Sequence, residues 1–304
     1  MGNVLHLEQF KFETSAIFHP DRFNASDLAL HIEPSFRIND QDKIFVIGSC
    51  FAANVCKTLV NKGLNATDAS INLKYNTFSM LQTINWALDG GFNNRFLAQL
   101  IDGRWFDGHR HPFVAYDCKE TAVQEHLNVL AKARDALETA DVVVLTLGLV
   151  EAWFDSVTNV WLNQTPPIQH LSEPGRFKVF QSQHSQNLSA LNQIFARLFE
   201  INSKVKVICS VSPVPLKATF CGKDVIIENT YSKATLRSVA TESIETMRKN
   251  GVAIDYFPSY ELATLRPRHE VWRETIRDNE PDGRHVKIDF IQNVIMHFFE
   301  KHYL

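Results

Sequence analysis

Short runs of consecutive apolar residues alternate along this chain with longer stretches whose apolar residues recur every three or four positions. Lys43-Ile44-Phe45-Val46-Ile47 is a β-branched and aromatic run stopped by Gly48, the pattern of a strand buried on both faces. The segment after it, about 50–62, reads as a helix with Ser49 as its N-cap. A second helix is expected over 77–89, where Phe78, Leu81, Ile84, Trp86 and Leu88 are apolar and Gly90-Gly91 supplies the stop. Leu100 to Cys118, with Gly103, Gly108 and Pro112 among aromatics and histidines, reads as a structured loop. Helix is expected again over 121–139, 180–201, 231–250 and 286–302. Strands are expected at Asp141–Leu147, Val205–Val211 and Val252–Phe257. Strands that alternate with long helices imply βαβ units, and hence an α/β fold with a mainly parallel sheet covered on both faces.

Composition sharpens this picture only in places. In 304 residues, 45% hydrophobic content with 12 Gly and 11 Pro allows one large core. The expected organisation is an irregular N-terminal arm over 1–40 and a single domain over 41–304. The formal net charge of -3, without a long Lys/Arg run, points away from nucleic acid and from an anionic membrane surface. The partner expected instead is a small molecule or glycan held in a pocket, and composition leaves the oligomeric state open. No secretory signal and no apolar stretch of membrane-spanning length is visible, so a cytoplasmic location is expected. The five cysteines, Cys50, Cys56, Cys118, Cys209 and Cys221, form no Cys-x-x-Cys pair, which argues against a disulfide framework and a thiolate zinc site. Neither a Gly-x-Gly-x-x-Gly turn nor a phosphate-binding loop occurs, so no cofactor and no metal is expected.

In open parallel sheets ligands bind outside the carboxyl ends of the strands, so residues just past each strand are the candidates for chemistry. Gly48-Ser49-Cys50 places two nucleophiles, Ser49 and Cys50, at a strand-to-helix turn. There, free backbone N–H groups and the helix dipole favour negative charge and are expected to lower a thiol's pKa. The plainer alternative is that Ser49 only caps the helix and Cys50 is inert core. Asp282-Gly283-Arg284-His285 offers a base, His285, three residues after a carboxylate that would orient it, Asp282. On spacing alone such a pair is more often a surface accident. Gly148 and Glu151 follow another strand, and Glu151 is either a substrate contact or a solvated loop carboxylate. Asp107 and His111, in Trp105-Phe106-Asp107-Gly108-His109-Arg110-His111, would contact a sugar lined by aromatic faces. As a metal site the same loop lacks further ligands.

From Gly48-Ser49-Cys50-Phe51-Ala52 onward the sequence resembles the GSCFA family, whose fold is related to the SGNH, or GDSL-like, esterases. The resemblance runs over about 40–300 and includes Tyr75-Asn76-Thr77-Phe78-Ser79-Met80, Thr146 to Trp153, Val211 to Leu216, Thr230-Tyr231-Ser232-Lys233 and Asp255 to Glu261. It implies a three-layer α/β/α sandwich of flavodoxin-like, SGNH type. It also lays the SGNH Gly-Asp-Ser turn on Gly48, Ser49 and Cys50, which makes the nucleophile a thiol, and lays the late Asp-x-x-His on Asp282 and His285. The SGNH Gly-x-Asn-Asp block keeps only Gly148, with Val150 and Glu151 in place of Asn and Asp. That departure leaves one oxyanion donor unassigned, with Asn72 and Asn76 as candidate substitutes. The implied activity is an esterase or acyltransferase that acts on an acyl ester of a carbohydrate or polysaccharide-type substrate through a covalent acyl-enzyme. The alternative is a non-catalytic glycan- or partner-binding domain on the same fold.

Overall fold

The computed structural model describes residues 20–25, 27–71, 73–110, 114–171, 173–275 and 280–304. Five parallel strands form the central sheet: β1 (Ile44–Ile47), β2 (Ala66–Thr67), β6 (Val142–Leu147), β10 (Lys206–Val211) and β11 (Ile254–Phe257). Their order across the sheet is β2, β1, β6, β10, β11, which is the doubly wound arrangement 2-1-3-4-5 of flavodoxin-like folds.

Successive side chains of a strand point to opposite faces, and the core divides accordingly. Phe45 and Ile47, Val143, Leu145 and Leu147, and Val207, Cys209 and Val211 enter one cluster; Ile44 and Val46, Val142 and Val144, and Ile208 enter the other. The first cluster is closed by α2 (Thr77–Asp89), α3 (Lys119–Thr139), α4 (His184–Ile201) and α5 (Val225–Lys249). The second is closed by α1 (Cys50–Asn61), by α6 (Ser259–Thr264), and by a C-terminal helix whose segments α8 (Ile288–Phe290) and α9 (Met296–Tyr303) flank a π turn, Ile291–Ile295. The chain is therefore a three-layer α/β/α sandwich. Each Val, Ile or Leu fully buried between the layers contributes about 1.5–3 kcal/mol.

Two small antiparallel sheets extend the frame. Leu100 to Cys118, expected as a loop, contains β4 (Trp105–Phe106) and β5 (Ala115–Tyr116), which pair with β3 (Ala98–Gln99). Beyond Gly148 a sheet not expected from the sequence forms from β7 (Glu151–Asp155), β8 (Val160–Leu162) and β9 (Phe177–Gln181). It takes residues 180 and 181 from the expected start of α4, while α5 begins six residues earlier than expected, behind Asp224. The Asp224 carboxylate caps this helix by accepting from the N–H groups of Ile226 and Ile227.

Between α7 (Arg268–Val271) and α8 the chain folds back on itself. Arg273 N–H donates to the His285 carbonyl at 2.8 Å, Gly283 N–H to Arg273 at 2.7 Å and Asp282 N–H to Glu274 at 2.9 Å, with bridges at Trp272–Val286 and Thr275–Pro281. Asp282 and His285 sit together on this hairpin. Residues 35–38 are fastened to the domain: the Ser35 hydroxyl donates to Asp255 at 2.8 Å, and Ile38 N–H to the Tyr303 carbonyl at 2.8 Å. Among the described residues, no helix is long and apolar enough to cross a membrane.

Candidate active site

The order 2-1-3-4-5 reverses direction between β1 and β6, the switch point at which folds of this kind bind their ligands. Ser49 and Cys50 follow β1; Gly148 follows β6. Both turns depend on glycine because of close approach. A Cβ on Gly48 would lie 1.9 Å from Thr146 Oγ1, and one on Gly148 would lie 2.5 Å from the Tyr75 carbonyl oxygen. Tyr75 is held there by two backbone bonds, from Leu149 N–H to its carbonyl at 2.8 Å and from its own N–H to Asn163 Oδ1 at 2.7 Å.

The two candidate nucleophiles separate on inspection. Ser49 is buried, caps α1 by accepting from Phe51 N–H at 3.3 Å, and shares a 3.1 Å hydrogen bond with the Ser212 hydroxyl. Cys50 is the first residue of α1 and only partly buried. Its thiol departs from the sequence expectation: burial raises its pKa above the ordinary value. The Arg284 guanidinium, the N–H groups of Phe51 and Cys50 itself, and Lys233 oppose that rise without cancelling it. A helix N-terminus alone does not make this thiol acidic, so it needs a base.

That base is oriented on the hairpin. His285 Nδ1 lies 2.9 Å and 3.0 Å from the two Asp282 carboxylate oxygens, and Asp282 also accepts from the N–H groups of Arg284 and His285 at 3.1 Å and 3.3 Å. Burial disfavours the charge on Asp282, but the bonds from His285 and from the backbone hold its carboxyl below the usual range. Arg284 Nη2 approaches His285 Nε2 at 3.4 Å. A guanidinium only donates, so Nε2 is the acceptor and Nδ1 carries the proton given to Asp282. Arg284 thus occupies the basic nitrogen of His285, its charge also acts on Cys50, and Arg284 Nη1 reaches the Pro215 carbonyl at 3.3 Å.

Lys233 and Tyr75 complete the surroundings. Lys233 is fully buried on α5 and donates to the Gly148 carbonyl at 2.6 Å; burial lowers its ammonium to about 7, against the pull of the Cys50 charge. Burial pushes the Tyr75 hydroxyl up to about 12, and the charge of Cys50 adds to the rise. Neither residue, nor Arg284, was assigned a role from the sequence, although a signal for Lys233 exists. It lies three and seven residues before Leu236 and Ala240, on the buried stripe of α5 where a cation is unexpected.

The remaining candidates are placed elsewhere or are engaged. Glu151 opens β7 instead of lying in a solvated loop. Its carboxylate accepts from the Thr219 hydroxyl at 2.7 Å, from Phe220 N–H at 3.1 Å and from the Cys221 thiol at 3.3 Å, fastening the loop after β10. Asn76 caps α2, accepting from Ser79 N–H at 2.8 Å and donating to the Leu162 carbonyl at 3.3 Å. Asp107 is fully buried and paired with His126 at 2.6 Å, surrounded by Trp86, Phe92, Phe96 and His109. Burial opposes its charge, but the two histidines hold its carboxyl at about 2. His111 and Asn72 lie outside the described residues. Among the described residues no three or more His, Cys, Asp or Glu side chains gather as a metal site.

Comparison with known proteins adds one assignment. The model of the GSCFA family matches residues 43–298. No curated protein matches the sequence. Among solved structures, the periplasmic domain of a lipopolysaccharide acetyltransferase from Salmonella ser. Paratyphi A is similar at 14% identity and a TM-score of 0.36, over 86% of this chain and 85% of that one. A likeness of that size carries no argument about this chain's chemistry.

Proposed function

The chain belongs to the GSCFA family, and from that premise we propose that it is an ester hydrolase or O-acyltransferase that works through a Cys50 acyl-enzyme on an ester of a carbohydrate-type substrate. The observation that carries this reading is the Asp282–His285 bond at 2.9 Å, on a hairpin whose Arg284 donates to His285 Nε2 at 3.4 Å and acts electrostatically on Cys50.

In the reaction, Arg284 releases His285 Nε2, which takes the thiol proton as Sγ attacks the ester carbonyl. The N–H groups at the start of α1 other than those of Phe51 and Ala53, which donate to Ser49, stabilise the negative charge that develops on the carbonyl oxygen. The C–O bond breaks, the alcohol leaves with the proton from His285, and a thioester remains on Cys50. Water or an acceptor hydroxyl then loses its proton to His285 and attacks the thioester, returning the proton to Sγ as the thiol leaves. Ser49, tied to Phe51 and Ser212, shapes the turn. A sugar-like alcohol suits an aromatic face, and Trp153 of β7 packs edge-on against the 47% exposed Phe220 at 5.2 Å. Glu151 acts through the loop it fastens.

The test is trapping with p-nitrophenyl acetate followed by peptide mass mapping. An acetyl adduct is expected on Cys50 in wild type and in Ser49→Ala, absent from Cys50→Ala, and longer-lived if breakdown is slowed in His285→Ala. No adduct on Cys50 in folded protein would sink the enzyme reading and leave the glycan-binding domain in its place.

A further inference from the structure

Four arginines of this fold each hold a carboxylate: Arg176 with Asp155 at 3.0 Å, Arg237 with Glu261 at 2.7 Å, Arg197 with Asp89, and Arg248 with Asp255. Arg284, half-buried on the hairpin beside the candidate base, differs from them. Among the described residues no carboxylate pairs with its guanidinium, which is placed by two neutral acceptors, His285 Nε2 at 3.4 Å and the Pro215 carbonyl at 3.3 Å. Both contacts are longer than the usual N–H···O distance of about 2.9–3.0 Å, and they engage only two of the N–H groups that a guanidinium presents. The neighbouring cation, Arg268, is committed to the hairpin itself: it donates to the Gly283 carbonyl at 2.5 Å and lies over the Trp272 ring at 5.7 Å. Pro215 belongs to the loop after β10, which is fixed by Leu216 N–H donating to Asn229 Oδ1 at 3.1 Å and begins at Ser212, whose hydroxyl shares its 3.1 Å bond with Ser49. The Arg284 guanidinium therefore bridges the hairpin that carries the base and the loop that touches the nucleophile's turn.

We propose that Arg284 is the specificity-determining residue of the site, and that the ester it selects carries an oxyanion, a carboxylate or a phosphate, on its sugar-like part. The inference rests on the reading of His285 as the base for Cys50 and deepens it by naming the substrate's charge. His285 Nε2 has one lone pair, and it cannot take the thiol proton while it accepts from Arg284. An oxyanion offers the same guanidinium two parallel charge-assisted bonds, shorter and about twice as strong as bonds to neutral acceptors. Binding of the charged group draws Nη2 off the imidazole, so the base is bared as the substrate is seated. A neutral ester brings nothing to exchange, and in its presence Nε2 stays occupied for most of the time. Recognition of charge and exposure of the base are thus one event. Arg284 holds the substrate, and His285 remains the group that moves protons.

The experiment compares phenyl acetate with two charged esters of the same kind, meta-acetoxybenzoate and meta-acetoxyphenyl phosphate, at fixed ionic strength. In wild type, kcat/KM is expected to be at least about tenfold higher for a charged ester than for phenyl acetate, and the carboxylate and phosphate arms identify which anion fits. In Arg284→Met the three esters are expected to converge to within about twofold, while Arg284→Lys, which keeps the charge and loses the fork, is expected to retain part of the preference. Equal values for all three esters in wild type overturn the proposal without any variant, and so does a preference that survives in folded Arg284→Met. A second readout needs no turnover: the NMR signal of the Arg284 Nε–H group, assigned by its loss in Arg284→Met, is titrated with meta-hydroxybenzoate, meta-hydroxyphenyl phosphate and phenol. The charged phenols are expected to shift it and phenol to leave it in place; a signal that all three move alike, or that none moves, overturns the proposal. A shift caused by the anions without any acetyl adduct on Cys50 removes the acyl-enzyme reading and keeps the anion contact, while an adduct with equal rates for all three esters does the reverse.

Discussion

At the scale of the residue, the proposed chemistry turns on which nitrogen of His285 carries a proton. Asp282 fixes that choice, so Asp282→Asn is the informative replacement: it keeps the shape while its amide can present an N–H to Nδ1 and favour the other tautomer. Turnover of an activated ester is expected to fall about 10⁴-fold, as in comparable triads, with the melting temperature little changed. Activity within tenfold of wild type would remove Asp282 from the mechanism. Much of this pair was legible, since Asp-x-x-His three residues apart is a local motif and the observed 2.9 Å contact is made within one turn of chain. Arg284 and Lys233 were not. Their placement comes from neighbours that lie far along the sequence, Pro215 in one case and Gly148 in the other, and no local spacing records such contacts. Asp107 shows the opposite failure: an acidic residue among aromatics and histidines resembles a sugar subsite in sequence, yet the same residues close into a buried ion pair with His126.

At the scale of the element, signals were strong wherever one periodicity held from end to end. The α2 helix matches its expected bounds because Asn76 caps it and Gly90 ends it, β1 is an unbroken apolar run, and β6 and β10 are apolar but for Thr146 in one and Lys206 and Ser210 in the other. The β7–β9 sheet escaped because Glu151-Ala152-Trp153-Phe154-Asp155 neither alternates nor runs apolar. Its stability comes from pairing to the neighbouring β8 and the more distant β9, and from ion pairs such as that of the buried Asp155 with Arg176 at 3.0 Å. The start of α5 was hidden by Ile226 and Ile227, two apolar residues that the fold leaves exposed. The turn between β6 and β7 carries a prediction. Gly148→Ala would drive a Cβ against the Tyr75 carbonyl, a backbone atom that cannot swing aside. A loss of about 1–3 kcal/mol in denaturant unfolding is expected, together with loss of acylation, because the same turn seats Lys233 and Tyr75. Wild-type stability in that variant would mean the turn is looser than its contacts imply.

At the scale of the whole molecule, the alternation of strands with helices predicted the layers, and the crossover rule then left few topologies, of which 2-1-3-4-5 is observed. A global consequence follows from the two buried lysines. Unfolded, a lysine keeps its proton to about pH 10; in the fold, burial brings both Lys74 and Lys233 down to about 7. From pH 7 to about 8 these two lysines leave the unfolded chain with more bound protons than the native one, so stability rises with pH there; above that, Cys50, Cys56, Cys209 and Cys221, whose thiols burial raises, keep their protons in the fold and turn the slope downward. Urea midpoints measured from pH 7 to about 8 are expected to climb, and Lys74→Met is expected to flatten the climb; a level or falling series over that interval in wild type would contradict the lowered values of the two cations.

The hairpin that carries Asp282 and His285 has a consequence of its own. Because the carboxylate and the imidazole ride on one backbone fold, sealed by the Arg273–His285 and Arg273–Gly283 bonds, a rigid swing of that fold leaves their mutual geometry intact. Loosening the hairpin then lowers the fraction of molecules in which the pair faces Cys50, and the observed rate scales with that occupancy. The acid–base character of the pair travels with it unchanged, so turnover would dim in proportion while its optimum in pH stayed where it was.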